Sequence, residues 1–238
     1  MDAAARPKRF YETASVEAAE AGWAVALDGR AVKTPAKAGL VLPSEALAEA
    51  VAAEWAGQGE RIDLTAMHLT KLANVAIDRT PAARNEMAAE VARYAETDLV
   101  CHLADGPADL RARQDAAWTP HRVWAGQALG VVLVPVEGIV AAPQPPASLD
   151  AAKAHAASLD DFRLTGLAYA CGLLGSAVLA LAVERGTISA PEAFDLSRLD
   201  EVYQAERWGE DSEAVKRTEA QSVEIASINV WFGALRIR

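Results

Sequence analysis

The sequence predicts an α+β protein: a small β-rich amino-terminal domain with one helix, residues 1–65, followed by a larger all-helical domain, residues 66–238. Three observations lead there. An Asp28-Gly29 pair separates two alternating stretches, the strongest short-range signal for a hairpin. From Ser44 onward the apolar period changes from two to that of a helix. Past a proline-rich stretch at 141–146, every segment reads as helix.

In chain order, residues 10–16 form a first candidate strand. Trp23, Val25 and Leu27 then alternate with Ala24 and Ala26 up to the Asp28-Gly29 turn, and 30–34 resumes the extended pattern. Residues 39–42 add another strand before Pro43. Ser44 is placed to cap a helix whose Leu47, Val51 and Trp55 share one face, with Gln58-Gly59 as its end. A short apolar stripe at 67–77 gives the next helix. Pro81 opens a longer one with Met87, Val91 and Tyr94 on one side. Pro107 starts a helix, and Thr119-Pro120 starts another that Gly130 closes. Residues 131–136 are β-like. Ser189, Pro191 and Glu192 spell a capping box, opening a helix expected to run to Arg207. A last helix covers about 210–232.

Hydrophobic residues make up 52% of the chain, but aromatics only 6%. Much of the core is therefore alanine, which suits closely approaching helices. The formal charge of -10 disfavours nucleic acid, whose binders need a basic footprint, and an anionic membrane surface. Cys101 and Cys171 lack CxxC spacing and read as buried apolar residues in a reducing compartment. The amino terminus carries no apolar signal core. Residues 164–183 are charge-free over about the length that spans a bilayer. Gly166, Gly172, Gly175 and Ser176 within the run, and the lack of an aromatic or lysine belt, favour a buried central helix or helix pair broken near Gly172-Gly175.

Motifs for chemistry are few. His68, His102, His121 and His155 have no zinc spacing, and no phosphate-binding glycine loop follows a strand, so no cofactor, metal or small-molecule substrate is expected. Cys101-His102 are sequence neighbours, whose side chains diverge on helix or strand. Acidity does concentrate near the carboxyl end: Asp200, Glu201, Glu206 and Glu213 surround Trp208. This cluster is either a solvated helix surface or a partner-binding face with an aromatic anchor. Tyr203 and Trp208 belong either to that anchor or to a core stripe with Leu196 and Leu199.

Several stretches together resemble one family. They are Gly22-Trp23 with Leu27-Asp28-Gly29-Arg30 and Thr34-Pro35; Glu54-Trp55 with Gln58; Met67-His68-Leu69-Thr70 with Asn74 and Asp78; Tyr94-Ala95-Glu96-Thr97-Asp98-Leu99; Arg113-Gln114 with Trp118 and Pro120; Gly175-Ser176; and Ser197-Arg198-Leu199-Asp200-Glu201 with Gln204 and Trp208-Gly209. Their order over about residues 9–215 is similar to that of the assembly chaperone of the F-type ATP synthase head that binds its alpha subunit. His68 departs from the expected proline, which puts the local turn in question, and the last twenty or so residues match nothing. The resemblance implies a non-enzymatic, cytoplasmic bacterial chaperone that holds free alpha subunits until beta subunits replace it. It also implies a recognition site at Asp200, Glu201, Glu206, Trp208 and Glu213. The alternatives are an enzyme with an acidic site near Asp200-Glu201, or an adaptor for another complex.

Overall fold

The computed structural model describes residues 6–236, which fall into two compact units. The first holds the chain up to Ala82 together with the stretch from Val230 onward; the second is Ala83–Asn229. The division expected after residue 65 therefore falls inside the first unit.

In the first unit a four-stranded antiparallel sheet contains β1 (Ala14–Ala19), β2 (Gly22–Leu27), β3 (Arg30–Ala31) and β4 (Val41–Leu42). β2 lies centrally, paired on one side with β1 and on the other with β3 and β4. The expected hairpin is present: Leu27 faces Arg30, and Asp28 and Gly29 take φ of 48° and 73°. The first strand begins at Ala14 rather than Phe10 for a local reason. The N–H groups of Glu12 and Thr13 both donate to the Asp28 carboxylate instead of to a neighbouring strand. These bonds, Thr13 first, hold that carboxylate below the usual range.

Helix α1 (Glu45–Ala56) is capped by Ser44, which accepts from the Leu47 N–H, and it buries Leu47, Val51 and Trp55 as the spacing predicted. Its Glu54 reaches out of the helix and accepts from the N–H groups of Leu69 and Thr70, both at 2.8 Å. Those are orphan donors at the start of α2 (His68–Asp78), so the carboxylate caps a helix other than its own. His68 is the first residue of α2. Proline is well accommodated at a first helical position because its missing N–H has no helical partner there, and here histidine opens the helix instead. At the far end of α2, Asp78 accepts from Thr34 Oγ1 at 2.6 Å and the Ala36 N–H at 2.9 Å, fixing the loop after β3.

The second unit carries most of α3 (Thr80–Glu96), a 3-10 turn at Leu99–Cys101, and α4 (Ala108–Leu129). These are followed by α5 (Pro146–Ser158), α6 (Asp161–Leu174), α7 (Ala177–Arg185), α8 (Ala190–Ser197), α9 (Leu199–Trp208) and most of α10 (Ser212–Arg236). It is helical except for a parallel two-residue pair, β5 (His102–Leu103) with β6 (Val136–Glu137), all that the β-like 131–136 stretch contributes to a sheet. Two expectations are corrected. α4 runs through Pro120 without a break, with Trp118 buried two residues before it. The helix opened by the capping box, which forms as predicted, stops at Ser197, and α9 starts anew. The cause is long-range: the Trp118 indole N–H donates to the Leu196 carbonyl at 2.9 Å, the acceptor a continuous helix would offer to Asp200.

The apolar run at 164–183 divides between α6 and α7, broken at Gly175 (φ 63°). Among the described residues no helix is long and apolar enough to cross a membrane. α7 is buried from Ala177 to Glu184, so its leading N–H groups have no access to water. Ser176 accepts from Leu179 at 3.0 Å, and the fully buried Asp98 accepts from Val178 at 2.9 Å and from Val100 at 3.2 Å. At the other end of α7 buried Glu184 accepts from Arg163 Nε at 2.9 Å and lies 3.0 Å from His155 Nε2. Burial alone would raise the Glu184 carboxyl, but these two partners hold it below its ordinary value.

Three outcomes follow from these contacts. A Cβ at Gly22 would lie 2.2 Å from the Leu42 carbonyl oxygen, whereas at Gly29 it meets open space. In urea melts Gly29→Ala is expected to lose only the left-handed strain of about 1–2 kcal/mol, and Gly22→Ala considerably more. Arg163→Met leaves Glu184 buried with one partner fewer and is expected to cost roughly 3–5 kcal/mol. Burial pushes Asp98 up from 3.8 to about 6. The folded state therefore retains a proton that the unfolded chain releases between these values, and this stabilising term is lost as pH rises from about 4 to 6. Asp98→Asn has no such proton. The stability of wild type relative to this variant is expected to fall over that window by up to about 3 kcal/mol.

Candidate partner-binding site

The acidic cluster singled out in the sequence lies on α9 and the start of α10, and the structure divides it into two groups. The first faces α4. Gln114, buried on α4, donates from Nε2 to Asp200 Oδ1 at 2.7 Å and accepts from the Ala104 N–H at 2.7 Å. Asp200 is thereby tied to the end of β5 through one side-chain amide. Next to Gln114, Arg113 donates to Glu206, six residues further along α9, at 2.7 Å. The ring of Tyr203 lies between the Arg113 and Arg207 guanidiniums, 5.2 and 4.4 Å from its centroid. Its hydroxyl donates to Asp109 at 2.9 Å, and Arg207 closes on the same carboxylate. The Tyr203 hydroxyl and then Arg207, against the opposing effect of desolvation, hold Asp109 below the usual carboxylate range. Asp200 and Tyr203 are thus committed to packing α9 on α4, while Glu206 joins the two helices by a surface ion pair.

The second group faces outward. Glu201 and Glu213 are exposed, and Trp208 is 77% exposed while Tyr203 is 1% exposed. The two aromatics left ambiguous by their spacing have separate roles: Tyr203 is core, and Trp208 projects from the end of α9 at Gly209. Asp211 caps α10 by accepting from the Glu213 N–H at 3.1 Å. Beside this face a groove of about 480 Å³ is lined by Phe194, Leu196, Leu199 and Val202, with Arg113 and Arg198 among its polar neighbours. Asp200 and Glu201 do not line it. Among the described residues no group of three or more histidine, cysteine or acidic side chains is placed to hold a metal ion.

Sequence reasoning missed Asp109 altogether. It had Gln114 only within a motif, since nothing in the sequence shows that residue 114 reaches residue 200.

The helical unit thus carries an acidic, aromatic-tipped face beside a shallow apolar groove. Comparison with known proteins gives the family. The sequence model of the family described as ATP12 chaperone protein matches residues 8–126. The chain is 42% identical to Atp12 from Paracoccus denitrificans over 94% of its own length and 97% of that chain, with a TM-score of 0.87. The Atu1473 protein of Agrobacterium tumefaciens is 35% identical, covering 96% and 86% of the two chains, with a TM-score of 0.90. The mitochondrial protein atp12 of Schizosaccharomyces pombe is 23% identical over 218 residues, 85% of this chain and 74% of that one. The chain belongs to the ATP12 chaperone family, the ATP synthase assembly chaperones that its sequence motifs resemble.

The internal and outward groups respond differently to substitution. Gln114→Leu strands the Ala104 N–H and Asp200 together and is expected to cost about 1–3 kcal/mol in chemical denaturation. Glu201→Ala is expected to stay within roughly 0.5 kcal/mol of wild type.

Proposed function

We propose that this chain binds free alpha subunits of the ATP synthase head and releases them to beta subunits, without catalysis, in a bacterial cytoplasm. The observation that carries the reading is Trp208, 77% exposed at the tip of α9 with Glu201 and Glu213 on the same outward-facing stretch. A large aromatic held in water is poorly placed for stability but well placed as an anchor. Surrounding acids orient a partner and speed encounter. An alpha subunit without its neighbour exposes an obligate, largely apolar interface, and such surfaces aggregate. A chaperone covering it needs shape and charge but no fuel. Further exposed apolar side chains at Val132, Val134, Ile139 and Val140 add to the surface available for this.

The enzyme reading at Asp200-Glu201 has less support. Asp200 is spent on Gln114, Glu201 faces solvent, and neither lines the groove beside them.

The test is suppression of alpha-subunit aggregation, followed by light scattering. Glu201→Lys with Glu213→Lys is expected to fold normally, since both positions are exposed, and to protect less well, with the deficit shrinking as salt is raised. Glu206→Lys additionally breaks the Arg113 pair, a surface pair worth at most about 1 kcal/mol. If the double reversal protects as well as wild type does, the α9 face is not the recognition site. Adding ATP or a divalent cation is expected to leave Tm unchanged. Saturation at a hundred times Kd would add about 2.7 kcal/mol, a shift easily seen in a melt.

A further inference from the structure

The first unit contains a second groove that the α9 face does not account for. It holds about 520 Å³ between the β2–β3 hairpin and α1, lined by Phe10, Tyr11, Arg30, Ala31, Lys33 and Trp55 among others. Two of the stretches singled out in the sequence, Leu27-Asp28-Gly29-Arg30 and Glu54-Trp55, meet here.

Four features of this groove point to one kind of occupant. The first is an open backbone edge. β3 is the outer strand of the sheet, and Ala31 faces Ala26 between the Leu27–Arg30 pair and the Val32 N–H bond to the Val25 carbonyl. This register turns the Ala31 amide and carbonyl away from β2. Lys33 repeats the pattern: it faces Gly39, flanked by the Leu40-to-Val32 and Thr34-to-Ala38 bonds, so its polar groups point outward too. Alternate residues with free main-chain groups are what an added strand pairs with.

The second feature is an unsatisfied donor. Trp55 is 8% exposed, and its indole N–H is buried without a hydrogen-bond acceptor among the described residues. A buried polar group left unpaired is costly, and it lies on a residue that lines the groove. The third is Phe10, 74% exposed at the rim, an apolar contact for a side chain of that occupant.

The fourth is charge. In a chain of net charge -10, the groove displays Arg30 and Lys33. Its one acid, Asp28, has its oxygens occupied by Glu12 and Thr13. The lining is therefore cationic, against the sign of the whole molecule.

We propose that this groove docks an extended, acidic segment of another polypeptide. The segment adds a strand along Ala31 and Lys33, places carboxylates on Arg30 and Lys33, and rests an apolar side chain against Phe10. Recognition here does not depend on the α9 face or on the identity of the client, so the two can fail separately.

The test uses the full chain and fluorescently labelled short peptides that alternate glutamate with valine, read by anisotropy. The glutamate peptide is expected to bind and to weaken as salt rises. The same peptide with lysine for glutamate is expected to bind at least about tenfold more weakly. Arg30→Glu with Lys33→Glu, both exposed, is expected to keep the wild-type Tm and lose about tenfold or more in affinity. Methylating the peptide amides at one set of alternate positions should abolish binding while the other set is tolerated, the signature of strand addition. The proposal is overturned if the glutamate peptide shows no saturable binding, if the double variant binds it as wild type does, or if the two methylated sets behave alike. It is equally overturned if sedimentation shows the groove already filled by a second copy, so that the peptide only dissociates a dimer.

Discussion

The second unit depends on one buried carboxylate. α7 is sealed from water along nearly its whole length, and the N–H groups that begin any helix have no partner within it. Left unpaired in an apolar interior, each would cost on the order of 1–3 kcal/mol. Asp98 accepts from Val178 at the start of α7 and from Val100 in the 3-10 turn, joining two backbone segments about eighty residues apart in sequence to one side chain. Burying a charge for this purpose is itself unfavourable, as the raised pKa records. The neighbouring Ser176 cap shares the task, and the apolar residues of α6 and α7 pack around a helix start that is already satisfied.

The same device recurs with different residues. Glu54 caps α2 from α1, Asp78 fixes the loop after β3 from the end of α2, and Gln114 joins β5 to α9 from within α4. Many residues that carry the family resemblance are therefore polar groups serving the backbone of a distant element. A chaperone has to present an adhesive surface without being deformed by what adheres to it. Polar clasps with fixed geometry resist that better than an alanine-rich core, whose small side chains specify packing loosely.

Local signals were legible in the sequence and distant ones were not. The Asp28-Gly29 turn, the Ser44 cap with its Leu47–Val51–Trp55 face, the capping box at Ser189 and the break at Gly175 all rest on residues a few positions apart, and all are seen. The uninterrupted α4 and the break between α8 and α9 were missed together. The second turns on Trp118, whose indole spans 78 residues to reach Leu196. The acidic cluster was visible as composition, but its division into a packed half and an outward half follows from Arg113 and Gln114 on another helix. Periodicity reports which residues share a face; it does not report what the face meets.

The grouping of the last residues with the first unit has a consequence for how the molecule is made. Ser44, which caps α1, also donates its hydroxyl to the carbonyl of Ala234 at 2.9 Å, a contact 190 positions long. On a ribosome the sheet and α1 emerge early, but the segment that completes their unit is translated only after the whole helical unit. Meanwhile the intervening helical unit can fold as a block of mostly local contacts. Vectorial synthesis thus leaves the amino-terminal part unfinished until the helical unit has been made. A ribosome stalled before Val230 would hold a finished helical unit tethered to an open one.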